Sequence, residues 1–105
     1  MDLVLNVYQT TKSFPVSENY GLTSQIRRAA VSIPSNITEG ASRRSKKEFT
    51  QFLYIAKGSL SELDTQLELA KQLNYFPAKK WEAIDEHMVE IDKMLSGLIC
   101  HQRKS

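Results

Sequence analysis

The side chains best suited to chemistry in this sequence are cationic, and they crowd one stretch of it. Arg43, Arg44, Lys46 and Lys47 stand almost together, Arg27 and Arg28 lie side by side upstream, and Lys57 follows downstream. From residue 21 to residue 60 these seven cations meet only Glu39 and Glu48, a net charge of +5, whereas residues 61–99 carry four cations against eight carboxylates, a net charge of −4. The whole chain is only +2, so the molecule is expected to be electrically polarised rather than strongly basic. Arginine forks match phosphate oxygens two at a time, and Ser42, Ser45 and the free backbone amides of a helix start supply further donors. Arg27, Arg28, Arg43, Arg44, Lys46, Lys47 and Lys57 therefore make up a candidate nucleic-acid-binding set. The plainer alternative is a solvated basic face, or arginines that pair with carboxylates inside an oligomer.

Other chemistries find no residues to carry them. Four-helix bundles that hold two metal ions use inward-facing Glu-x-x-His pairs, yet the positions three before His87 and His101 are Ile84 and Leu98. Two histidines and one cysteine fall short of a zinc set. Cys100 and His101 are adjacent, which sets their side chains about 100° apart on a helix and suits neither a thiol–imidazole pair nor a nucleophile with its base. Gly21, Gly40, Gly58 and Gly97 are scattered singly, so no phosphate-cradling loop is present. The carboxylates between residues 61 and 92 read as a solvated acidic face. No catalytic residue, metal ligand or cofactor is expected, and the chain is read as non-enzymatic.

The elements that must position the cations are helices. No strand alternation or internal repeat stands out, whereas helical spacing occurs four times. Trp81, Ile84, Met88, Ile91, Leu95 and Leu98 alternate steps of three and four and share one stripe. Phe49, Leu53, Ala56, Leu60, Leu63, Leu67 and Ala70 make a second stripe, and Phe52, Ile55, Leu69 and Leu73 widen it enough for two neighbours. Ser45 and Glu48 form a capping box that starts this helix near residue 46, and Asn74-Tyr75-Phe76-Pro77 ends it. Gly58 lies inside it and is expected to allow close helix approach.

Upstream, Leu3, Val4, Val7, Tyr8 and Thr11 predict a short first helix that stops before Phe14-Pro15. A second helix runs from about Tyr20 on the stripe Leu22, Ile26, Ala29, Ile33 and Ile37, with Pro34 inside it. Proline removes one backbone donor and clashes with the carbonyl of Ala30, so a kink is expected there. Short connections favour antiparallel neighbours. The predicted fold is all-α, an antiparallel up-down-up-down four-helix bundle with a proline-kinked second helix, in one domain over residues 1–105. With 41% hydrophobic residues, one cysteine, no basic leader and no long apolar run, the chain reads as cytoplasmic and without a membrane span.

One run is more specific than any of these patterns. Residues 20–40, YGLTSQIRRAAVSIPSNITEG, followed by Arg43-Arg44-Ser45, Lys47-Glu48-Phe49, Ala56-Lys57-Gly58-Ser59-Leu60-Ser61-Glu62-Leu63 and Met94-Leu95-Ser96-Gly97-Leu98-Ile99, resemble the bacterial four-helix bundle family of 23S rRNA intervening-sequence proteins, also called S23-type. The resemblance covers nearly the whole chain. It implies a four-helix bundle that assembles as a homopentamer around a central channel. It also implies kinship with the accessory variability determinant of diversity-generating retroelements, a basic pentamer that binds nucleic acid and a reverse transcriptase. By that resemblance the binding positions are Arg27, Arg28, Arg43 and Arg44, with the neighbouring lysines. Family members usually carry an aromatic-containing segment ahead of the equivalent of Asp2, so a clipped first helix is expected here. The leading expectation is a homo-oligomer that binds RNA or DNA at the corner between helices two and three. The alternative is a protein-interaction scaffold in which the basic cluster serves oligomer contacts.

Overall fold

Residues 2–104 are described by the computed structural model. They form α1 (Asp2–Thr11), a 3-10 turn (Val16–Glu18), α2 (Leu22–Ala41), α3 (Lys46–Gln72) and α4 (Ala78–Lys104). No strand occurs among the described residues, so the all-α, four-helix reading holds. No described helix is long and apolar enough to cross a membrane. α1 lies against α2 and α4, and α3 lies against the same two.

Local chemistry sets the helix ends. The Ser45 hydroxyl accepts from the Glu48 amide at 3.1 Å and opens α3. The Glu48 carboxylate meets the Ser45 hydroxyl at 3.4 Å, so this contact links two side chains where a full capping box would use the Ser45 backbone amide. At the other end Asn74 takes φ 61°, a left-handed conformation that asparagine tolerates. The amide of Tyr75 then reaches the Ala70 carbonyl and the amide of Asn74 reaches that of Lys71, at 3.0 and 2.9 Å. This pair of bonds is a Schellman closure, which satisfies carbonyls a helix end leaves open.

An aromatic cluster closes the bundle at the level of this turn. Phe14 packs on Tyr75 and Phe76, with ring centroids 5.4 and 6.0 Å apart. The Tyr75 hydroxyl donates to the Glu18 carboxylate at 2.8 Å. The connection after α1 and the connection after α3 are thereby tied together.

The central stripe of α3 is buried as its spacing predicts: Leu53, Ala56, Leu60, Leu63, Leu67 and Ala70 are all inside. Its predicted widening holds only at Phe52, which is half-buried beside Gly40 of α2. Ile55, Leu69 and Leu73 remain about half exposed, because the two neighbours of α3 meet its other flanks. On α4, Ile84, Met88 and Leu95 are buried, but Leu98 is only partly covered and Ile99 takes the inward place. A three-four repeat averages 3.5 residues per turn, and a straight helix drifts from it by about 20° per heptad. Over the length of α4 the inward face passes to the next residue.

The order of contacts shows how the long helices run. Ser32 meets Ser59 at 2.8 Å, while Gly40, further along α2, lies against Phe49 and Phe52, earlier on α3. Across the other seam Tyr54, Lys57 and Lys71 reach Arg103, Ser96 and Trp81 in turn. Partners descend on one helix as they ascend on the other at both seams. α2 is helical on both sides of Pro34. The Asn36 side-chain amide bonds back to the Ser32 carbonyl and hydroxyl, at 2.7 and 2.9 Å.

The close helix approach expected at Gly58 lies elsewhere. A Cβ on Gly58 would meet nothing within 4 Å, because the residue faces solvent. A Cβ on Gly40 would stand 2.6 Å from the Phe52 Cβ and 2.9 Å from the Phe49 ring, so glycine is what lets α2 and α3 converge at their shared turn.

Candidate nucleic-acid interface

The seven cations singled out by sequence do not gather in one patch. Arg43, Arg44, Lys46 and Lys47 are exposed where α2 turns into α3. Arg27 and Arg28 sit near the opposite end of α2, about 20 Å from that turn at 1.5 Å per residue. Lys57 stands on the flank of α3 that faces α4.

Three of the seven are engaged within the fold. The Arg27 Nε donates to the Thr11 hydroxyl at 2.8 Å, and the guanidinium stacks 4.6 Å from the centre of the Tyr8 ring. This half-buried arginine fastens α1 to α2. Arg43 pairs with the Glu39 carboxylate one turn back and lies 5.1 Å from the centre of the Phe52 ring. The Lys57 Nζ donates to the Ser96 hydroxyl at 2.9 Å and stands 3.5 Å from the Asp92 carboxylate.

Among the described residues the side chains of Arg28, Arg44, Lys46 and Lys47 make no hydrogen bond or ion pair, and Arg44, Lys46 and Lys47 are exposed together at the turn. Lys46 and Lys47 open a 27-residue helix, where backbone amides already present partial positive charge. Cations there work against the helix by about 0.3–1 kcal/mol each when exposed. Only Glu48 offsets them in that first turn. An arriving phosphate would be held by side chains and by the helix start together.

Sequence reasoning missed a second basic group. Arg103 and Lys104, in the last turn of α4, border one groove with Tyr54, Lys57, Ser96 and Cys100. The Arg103 Nη1 donates to the Tyr54 hydroxyl at 3.3 Å. These residues are nearly fifty positions apart along the chain, and only the return of α4 beside α3 joins them. The mixed spacing of Tyr54 and Lys57 on α3 was the available signal, and a charge count that stopped at residue 99 passed over their partners.

Further along the same seam the charge reverses. Asp64, Asp85 and Asp92 line a groove with Met88, Val89 and Lys93. Burial, then the nearby Asp85 and Glu68 charges, hold the Asp64 carboxyl above its ordinary range. Acidic density here marks where a polyanion would be turned away. Among the described residues no group of three or more His, Cys, Asp or Glu is placed to hold a metal ion.

A family model described as "23S rRNA-intervening sequence protein" matches residues 1–97. The fold is similar to the crystal structure of a protein of unknown function from the S23 ribosomal protein family of Bacteroides thetaiotaomicron, with a TM-score of 0.80 and 28% identity, over 91% of this chain and 87% of that one. No curated protein matches the sequence. Four helices in this arrangement, together with a match over almost the whole sequence, make the chain a member of the 23S rRNA-intervening sequence protein family.

Proposed function

We propose that this protein is a non-enzymatic nucleic-acid-binding module that works as a homo-oligomer. The observation that carries the reading is the placing of Arg44 in the turn before α3 and of Lys46 and Lys47 at its start, all exposed and, among the described residues, without an ion-pair partner. The fold gains nothing from cations at that helix end, whereas a phosphodiester backbone gains from both the side chains and the open amides. Arg43, already oriented by Glu39 and Phe52, borders the same corner. Arg28 lies apart on α2, among Gln25, Ser32, Ser59 and Glu62, and is a peripheral contact in this reading.

A single subunit offers few cations, so repetition supplies the affinity. In a homo-oligomer, a pentamer by the family resemblance, each corner recurs and a strand held at one is at high effective concentration for the next. Ile55, Leu69 and Leu73 fall within about 40° of one another around α3. They are 51%, 50% and 46% exposed, and with Glu62 and Gln66 between Ile55 and Leu69 they make a mixed flank open to subunit contact.

Titration of labelled RNA and DNA oligonucleotides at rising salt tests the reading. Affinity is expected to fall linearly in log–log form as phosphate contacts release counterions. Absence of binding at low salt would end it.

A further inference from the structure

We infer that the basic groove between α3 and α4 is a seat for single-stranded nucleic acid, with the Tyr54 ring and the Arg103 guanidinium receiving an unstacked base. This rests on the nucleic-acid reading above and goes beyond it, naming a separate site and the form of strand that fits.

The placing of side chains is the first argument. Lys47, Thr50, Tyr54 and Lys57 are spaced three, four and three apart on α3, so they form one stripe about 15 Å long. That stripe starts at the cations of the corner and leads into the groove. Arg103 and Lys104 border it from α4. A cationic track with an aromatic ring along it is the arrangement that holds single strands: the backbone follows the charges while bases stack on rings and arginine planes. Tyr54 is 49% exposed, so the residue is within reach of a ligand in the groove.

Dimensions are the second argument. Packed helices lie about 8–10 Å apart, so the furrow between them admits a base or a side chain and not a duplex. A third argument comes from charge. Beyond Lys57 the seam turns acidic at Asp92, Asp85 and Asp64, so the strand is confined to the basic end and leaves the groove there.

Arg103 and Lys104 have a simpler role as well, since cations at a helix C-terminus complement its dipole. That role leaves Tyr54 without a purpose. Arg103 reaches across the seam to the Tyr54 hydroxyl, which orients ring and guanidinium toward the same furrow.

The test uses the full chain, a labelled single-stranded oligouridylate and a labelled RNA duplex of equal length, with fluorescence anisotropy as the readout. Wild type is expected to favour the single strand. Tyr54→Leu is expected to weaken single-strand binding about tenfold, Arg103→Gln several-fold, and neither to change duplex binding. Tyr54→Phe keeps the ring and is expected to bind within about twofold of wild type, and circular dichroism checks that each variant is folded. Equal affinity for both probes, or single-strand affinity unchanged in Tyr54→Leu, would overturn the groove while sparing the corner. Loss of self-association in Tyr54→Leu at unchanged RNA affinity would assign the groove to a second copy of the chain and overturn it too. Binding of neither probe at low salt would remove both readings.

Discussion

The two seams of α3 are built from different materials. Against α2 the inner contact is close and built from small and apolar residues: Gly40 accepts Phe49 and Phe52, Ser32 meets Ser59, and Ala29, Ala30 and Ala56 are buried, with Arg28 and Glu62 only at the outer edge. Against α4 the core is flanked by an outer rim of ions, with Lys57, Asp92, Arg103, Asp64 and Asp85 along open grooves. Small side chains let helix backbones converge and exclude water, so the first seam stores stability. Charged rims hold little folding energy because exposed pairs are screened, and they leave side chains available to a ligand. The difference puts close small-residue convergence on one flank of α3 and a charged, open rim on the other.

Substitutions sharpen that division. Gly40→Ala is expected to have the largest effect, a loss of about 1–3 kcal/mol from overpacking at the corner turn, read as a lower midpoint in denaturant unfolding. A neutral result would show that the convergence of α2 and α3 is not tight. Arg27→Ala comes next, at about 1 kcal/mol, because it removes a bond to Thr11 and a ring contact that dock α1. Faster amide exchange confined to α1 would check that assignment. Gly58→Ala should act in the opposite sense, stabilising by up to about 1 kcal/mol, since the site is open and helical. If it destabilised, the outer face of α3 would be covered in the working assembly.

Asp64→Asn should give the smallest change, below roughly 0.5 kcal/mol. The Asp64 carboxyl is held above its ordinary value of 3.8 by burial and by Asp85 and Glu68. The folded protein therefore binds this proton more tightly than the unfolded chain, and stability from this group falls as pH rises past the ordinary carboxylate range. Asp64→Asn should then raise the melting temperature slightly at neutral pH and lose that advantage in acid. An equal shift at both pH values would show that neither burial of the charge nor its repulsion by Asp85 and Glu68 is the cause.

Much of the fold was legible in the residues because helix periodicity and end signals are local. The stripe of α3, its Ser45 start, its Asn74 end and the stop of α1 before Phe14-Pro15 all follow from short-range rules. Two things were not legible for physical reasons. Apolar residues such as Ile55 and Leu69 widen a stripe identically whether a neighbour in the same chain or a second subunit covers them. Gly40 and Gly58 look alike in sequence, and only the path of Phe49 and Phe52 separates the one that must stay glycine from the one that need not.

The site was less legible than the fold. Spacing found the Arg43 to Lys47 corner, but gave no sign that Arg27 is bound inward by Thr11 and Tyr8 or that Arg103 returns beside Tyr54. Those contacts are set by which helix faces which, and a linear charge count carries no such information.

The central claim is that free cations at the start of α3 hold phosphates. Its most direct test is the salt dependence of RNA binding in wild type and in a variant carrying Arg44→Gln, Lys46→Gln and Lys47→Gln. Each lost phosphate contact lowers the slope of log affinity against log salt by about 0.7 for a single strand, so a decrease of about 2 is expected. An unchanged slope in the variant, or no binding by wild type at low salt, would contradict the account.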